Sequence, residues 1–213
     1  MKNSALTRRS IWRTARAVWD AEAASVTRLA QTIDPESLAR CVEVLANRKG
    51  RVFATGCGTS GAAARKIAHS LCCIECPAAF LAPGDALHGG LGLVQTGDVV
   101  IVISKGGNSR EIADMIPSLK AKRALIIGVT ESADSAVGKA ADVLLQVKVE
   151  REPDDFNLLA TASTMAVVAV FDAICVALMK QTRYSRDQFA IIHPGGAVGQ
   201  RLLVSRTQEA HAG

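Results

Sequence analysis

Two short stretches carry the residue types that hold an anion. GCGTSG, residues 56–61, ends one apolar run, and SKGGNS, residues 104–109, ends another, DVVIVI. Each puts glycines and hydroxyls at the tip of a strand, and a helical pattern starts directly after it. A plain turn needs one glycine. A turn with several glycines, serines, an asparagine and Lys105 suits a cradle of backbone N–H groups at a helix N-terminus, where negative charge is favoured. A third cluster, TASTMAV at 161–167, places Thr161, Ser163 and Thr164 at the start of a long apolar helical run. Ordinary capping explains one hydroxyl there but not three. The competing reading is that the glycines only make tight βα turns.

Those turns need elements to position them. Residues 8–32 have helical spacing, with Trp12, Ala15, Trp19, Ala23, Val26 and Ala30 on one stripe. DPES, 34–37, starts a second helix over 36–48, and NRKG stops it. From there the period changes. Strands are expected at 51–56, 77–82, 98–104, 124–130 and 142–149, with helices between them and a long helix over 158–180. Strands alternating with helices imply a parallel sheet covered on both faces. The fold class expected is α/β, a three-layer αβα sandwich on five parallel strands, with extra N-terminal helices. A single domain is expected over 1–213: N-terminal helices at about 8–48, the sheet unit at about 50–180, and a C-terminal segment at 185–203. In such a sheet, ligands bind beyond the carboxyl ends of the strands, where strand order reverses. Two similar turns side by side would form one pocket there.

Composition narrows the classes. Apolar residues are 49% of 213, enough for a packed core, and aromatics are only 4%, so that core must be aliphatic. The net charge of +5 is mild, and no Lys/Arg block with interleaved aromatics is present, so nucleic acid is not the expected partner. Cysteines 41, 57, 72, 73, 76 and 175 sit mostly in apolar surroundings. CCIEC, 72–76, could supply metal ligands but has no second cluster, and reduced thiols in a cytoplasmic protein are the expectation. The N-terminal stretch is charged and lacks the apolar core of a leader. MAVVAVFDAICVALM is interrupted by Asp172 and reads as a core helix rather than a membrane span. GCGTSG matches part of a dinucleotide fingerprint, but PGD rather than an acid closes the next strand, and no Gly-Lys-Ser/Thr pattern occurs.

Taken together, GCGTSG, SKGGNS and TASTMAV resemble the sugar isomerase (SIS) domain, whose members bind phosphosugars through Ser/Thr-rich turns. LHGGLGLV (87–94), VKVEREPD (147–154) and IIHPGGAVGQRLL (191–203) narrow this, resembling the isomerase domain of arabinose-5-phosphate isomerases over about 35–203. The resemblance implies a dimer or tetramer whose sites are completed by a neighbouring chain, with a phosphorylated sugar as substrate and no cofactor. An aldose–ketose isomerase opens the sugar ring, then moves a proton between C1 and C2 through an enediol, using a base and a polar group at the carbonyl oxygen. A phosphate grip maps to Ser60, Ser104 and Ser109, with Thr161, Ser163 and Thr164.

By resemblance, Glu152 is a catalytic carboxylate and the favoured base, His193 aids ring opening from a neighbouring chain, His88 contacts substrate, and Glu111 matches a functional position. Each has a plainer reading: a solvated charged loop, a capping or core histidine, a first-turn glutamate that complements the helix dipole. His69 and His211 receive no role. The family's first turn usually carries a lysine where this chain has Thr59, and Lys105 stands in the second turn. The expectation is that Lys105 supplies the missing charge; the alternative is that it points to solvent. Ala82 stands where relatives have a zinc-binding histidine, so no metal is expected, and paired CBS modules are not expected either. Two other functions remain open, a non-catalytic phosphosugar sensor and a 6-phospho-3-hexuloisomerase-like enzyme.

Overall fold

β1 (Val52–Gly56), β3 (Val99–Ile103) and β4 (Leu125–Thr130) alternate their side chains between two apolar layers, which fixes the core before any helix is placed. Val52, Ala54, Val99, Ile101 and Ile103 face one layer, and Phe53, Val100, Val102 and Ile126 face the other. Both faces are buried, as a parallel sheet requires. The structure, a computed structural model, describes residues 6–195. Its sheet is five-stranded and parallel, in the order β2-β1-β3-β4-β5, with β2 at Ala78–Phe80 and β5 at Val143–Gln146.

On the first face lie α2 (Pro35–Ala46), α3 (Gly58–Cys72) and α7 (Ala162–Thr182), contributing Leu45, Ile67, Leu71, Phe171, Ile174 and Leu178 to the core. The second face is covered by α4 (Pro83–Leu87), a short 3-10 turn at Gly90–Leu93, α5 (Arg110–Ala121) and α6 (Ala136–Ala140), through Ala86, Ile112, Met115, Leu119 and Val137. Burying each large side chain contributes about 2 kcal/mol. α1 (Arg8–Thr32) runs outside α7 and has no fully buried residue. α8 (Arg186–Ile192) closes the described chain, started by a reciprocal Ser185–Gln188 capping box. α7 is the one described helix long and apolar enough to cross a membrane, but its Ala166, Val170, Phe171, Ile174 and Leu178 are buried against the protein's own core.

Several boundaries differ from the expected ones for definite reasons. β5 stops at Gln146 rather than 149, because its partner β4 ends at Thr130, and Val147 N–H donates the last bond to the Thr130 carbonyl. α7 starts at Ala162 rather than 158. The Asp154 carboxylate accepts the N–H groups of Phe156, Leu158 and Leu159 and holds that stretch as a loop. α3 begins at Gly58, inside the glycine turn, so Thr59 and Ser60 belong to its first turn. α4, the 3-10 turn and α8 were not anticipated. The motif segment 196–203 and His211 lie outside the described residues.

The two glycine turns differ in what they need. Gly56 and Gly61 permit close approach of α3 to the strand: a Cβ on Gly61 would lie 2.6 Å from the Gly56 carbonyl oxygen, and one on Gly56 would lie 2.9 Å from that of Ile103. Gly107 has φ +72°, and a Cβ there would overlap the Ser135 side chain and lie 2.7 Å from Thr130 Oγ1. Gly107→Ala therefore meets both backbone strain and a clash with the cap of α6. Chemical denaturation should show a loss of about 2 kcal/mol or more; an unchanged urea midpoint would contradict this account of the turn.

Candidate active site

Strand order reverses between β1 and β3: the chain goes outward from β1 to β2, crosses back, and continues through β3, β4 and β5. α3 leaves β1 onto one face and α5 leaves β3 onto the other. The crevice at the carboxyl ends of these strands is where such sheets take ligands, and it opens between the two glycine turns. A cleft lies here, lined by Thr59, Ser60, Lys105, Thr130, Ser163 and Thr164 among others. Three helix-start hydroxyl clusters thus reduce to two that face one space: the first turn of α3 and the first turn of α7.

Glu152 lies behind the wall of the cleft, bonded to two residues that line it, Lys105 and Ser163. It follows the extended segment after β5 and has no exposed surface. A buried carboxylate must be paired, and this one is paired on every side. Lys105 Nζ donates to its Oε1 at 2.6 Å, and the Ser163 hydroxyl donates to the same oxygen. Backbone N–H groups of Thr161 and Ser163 reach Oε2 at 3.0 and 3.4 Å. Glu152 thereby caps α7 from a distance, supplying the acceptor that the helix's first N–H groups lack and the negative charge its N-terminus favours. The residue is itself held from behind, since Asn157 Oδ1 accepts its N–H at 2.6 Å. Burial opposes ionisation, but Lys105, Ser163 and the two backbone donors outweigh it, and the carboxyl is lowered to about 2.

Lys105 lines the cleft, with its ammonium turned to Glu152. Its Nζ also lies 3.9 Å from Glu131 Oε1. Glu131 was not anticipated, although its place directly after β4, on the edge that carries both turns, is a signal that sequence alone offers. Ser104 and Ser109 bond each other at 3.2 Å through their hydroxyls in the second turn and do not line the cleft. Asn108 is committed to structure, its Oδ1 accepting the Ala136 N–H at the start of α6.

Other predicted residues lie elsewhere in this chain. Glu111 is exposed on the first turn of α5 and lines a separate, more open cleft with Gly58, Arg65 and Pro83, on the β2 side of the first turn. His88 is exposed at the end of α4 and lines neither cleft. His193 stacks on Phe189 with ring centroids 3.9 Å apart, and its Nδ1 lies 2.9 Å from the Phe189 carbonyl oxygen. Its helix is anchored at the amino edge of the sheet: Gln188 donates to Glu75, and the Tyr184 hydroxyl donates to the Cys73 carbonyl. The 21-residue α7 separates that edge from Glu152, about 30 Å at 1.5 Å per residue. One chain does not bring His193 and Glu152 together.

All six cysteines are unpaired thiols; burial pushes Cys41 up to about 12 and Cys76 and Cys175 up to about 11, which leaves these three inert. Among the described residues no group of three His, Cys, Asp or Glu side chains could hold a metal.

A 2-1-3-4-5 parallel sheet with hydroxyl-bearing helix starts at its switch point is a doubly wound αβα domain, and residues 44–178 match the SIS domain, so the chain belongs to that family. Among its relatives is a candidate sugar-phosphate isomerase from Listeria monocytogenes, 48% identical, covering 90% of this chain and 100% of that one, with a TM-score of 0.88. An Escherichia coli CFT073 protein, c3406, solved in complex with A5P, is 30% identical over 89% of this chain and 100% of its own, with a TM-score of 0.84. Arabinose 5-phosphate isomerase KdsD of E. coli K12 is 42% identical over 165 residues, 78% of this chain and 50% of KdsD. The chain spans about half the length of the curated relatives it matches.

The low pKa of Glu152 makes a stability prediction with a definite sign. The carboxyl has its ordinary value of 4.5 when unfolded and about 2 when folded, so its contribution is fully present above pH 4.5 and is lost as pH falls through about 2. Glu152→Gln should therefore be less stable than wild type at neutral pH, with the gap closing as pH falls from 4.5 towards 2. Urea midpoints measured across that window check it; a gap that stays constant would rule out the ion pair as its source.

Proposed function

We propose that this protein is a phosphosugar aldose–ketose isomerase acting through an enediol, with arabinose 5-phosphate the first substrate to test. The observation that carries the reading is one cleft that joins hydroxyl-bearing helix starts to a half-exposed lysine paired with a buried carboxylate. The first supplies a phosphate grip through Thr59, Ser60, Ser163 and Thr164 and the helix N-termini behind them. The second supplies what proton transfer between C1 and C2 needs: Lys105 as donor to the carbonyl or enediolate oxygen, and Glu152 as the carboxylate that moves the proton. The relatives named as arabinose 5-phosphate isomerases, and the neighbour solved with A5P, support the choice of substrate.

We further propose a homo-oligomer, a dimer or tetramer, in which a neighbouring copy brings His193 to the cleft for ring opening. Its separation from Glu152 within one chain supports this. So do the exposed apolar groups: Trp12 and Trp19 meet edge to face on α1 with each more than half exposed, and Phe156, Leu158 and Leu159 stand exposed beside the cleft. Free thiols throughout are consistent with a cytoplasmic setting. One observation favours the sensor reading instead: Glu152 is fully hydrogen-bonded and weakly basic at rest. A 6-phospho-3-hexuloisomerase-like activity would use the same groups on a longer sugar.

Two measurements separate these readings. Calorimetry should show binding of arabinose 5-phosphate and none of arabinose, and turnover assays across pentose and hexose phosphates should find interconversion of at least one; binding of a phosphosugar with no turnover of any would establish the sensor. Lys105→Ala should reduce phosphosugar affinity or kcat/KM by about tenfold or more, the scale of one charge-assisted hydrogen bond. Wild-type affinity and kinetics in that variant would remove Lys105 from the site.

A further inference from the structure

Glu152, the carboxylate placed for proton transfer, is at rest a poor base. All its oxygens accept bonds, and its strongest partner is the Lys105 ammonium. To take a proton from carbon it must first lose that partner. Among the described residues, the carboxylates within ion-pair distance of Lys105 Nζ are Glu152, at 2.6 Å, and Glu131, at 3.9 Å. Glu131 is built as an empty seat. Its Oε1 is buried and accepts no hydrogen bond, a costly state for a carboxylate oxygen. The Lys105 side chain is 38% exposed, and a movement of about 1 Å would bring the ammonium to hydrogen-bond length from Glu131. Position is secured by the backbone: Glu131 N–H and Thr130 Oγ1 both donate to the Lys105 carbonyl at 2.9 Å, so the two residues keep their spacing whatever the side chains do.

We propose that Glu131 is a positioning residue for the reaction: when a phosphosugar enters the cleft, Lys105 passes from Glu152 to Glu131, and Glu152 is freed to act as the base. This rests on the isomerase reading of the site. No bond to carbon is made or broken in the transfer; one ion pair opens and another closes. The charges that face Glu131 agree with the direction. Burial raises its pKa, Lys105, the Val149 N–H and Lys148 favour its ionised form, and the Glu152 charge opposes it. Arrival of the ammonium would therefore settle Glu131 as a carboxylate, and its departure would return Glu152 towards an ordinary acid.

The test follows the two carboxyls directly. Protein labelled with 13C at the glutamate carboxyls is titrated by NMR with and without arabinitol 5-phosphate, which has no carbonyl and does not isomerise; Glu131→Gln and Glu152→Gln assign the signals. In wild type, saturation with the polyol phosphate should raise the Glu152 midpoint by at least one pH unit, and in Glu131→Gln that rise should be absent. With arabinose 5-phosphate, Glu131→Gln should lose about tenfold to a hundredfold in kcat with KM changed less than about threefold. Its kcat should also turn down at a lower pH than wild type, which a merely structural loss would not produce. Glu131→Asp, with the same charge on a shorter arm, should keep more of kcat than Glu131→Gln. Ligand binding with an unmoved Glu152 midpoint in wild type would overturn the transfer and leave the isomerase reading standing. A ligand-driven rise in a protein that turns over no sugar phosphate would keep the transfer and overturn the isomerase reading. Failure of wild type to bind the polyol phosphate would overturn both.

Discussion

A charge placed where no water reaches must be answered by its neighbours, and Glu152 is the charge around which this carboxyl edge is organised. Its burial is affordable only because a lysine, a hydroxyl and two helix-start N–H groups converge on it. These contacts draw on three parts of the chain. Lys105 follows β3, Ser163 and Thr161 begin α7, and Asn157 holds the backbone of Glu152 from the intervening loop. The ion pair therefore fixes where α7 begins, how the loop before it is folded, and which way the second glycine turn points its lysine. Removing one partner leaves an uncompensated ion in the interior, so geometry and chemistry are maintained by the same contacts.

The sheet decides where this can happen. In the order β2-β1-β3-β4-β5, strand order reverses between β1 and β3, and α3 and α5 leave those two strands to opposite faces. The cleft inherits that opening, and the residues beside it are those that end β1, β3 and β4. Close packing of Gly56 and Gly61 draws α3 against the strand, which points the first turn of α3, with Thr59 and Ser60, into the cleft. On the other side of the same turn, Glu111 and Arg65 line a second opening. Glu111 and Glu152 are thus separated by the start of α3.

Much of this was legible in the residues. Alternating β and α periods predicted a five-stranded parallel sheet because buried strands such as VVIVI have no other reading at that length. The hydroxyl clusters at 59–60 and 163–164 were visible because helix starts announce themselves chemically. The convergence of Lys105 and Glu152 could be only half foreseen: their separation of 47 positions carries no period, and the sheet order that brings them together is not written in either segment. Ser104 and Ser109 misled for the opposite reason. They have the right types in the right turn, but their hydroxyls satisfy each other. α8 and α4 are short and depend on local capping and tertiary anchors, such as Gln188 on Glu75, that no apolar stripe signals. Glu131 was overlooked because a single acid after a strand looks like any solvated turn.

The Asp154 carboxylate has a consequence for the rim of the cleft. By gathering the N–H groups of Phe156, Leu158 and Leu159 on one side chain, it freezes the backbone of a stretch whose side chains stand in solvent. The conformational entropy of that stretch, about 1–2 kcal/mol per residue, has already been surrendered in the free chain. A surface meeting those three apolar side chains finds a template rather than a tether, and contact there releases ordered water without first having to tame a loop.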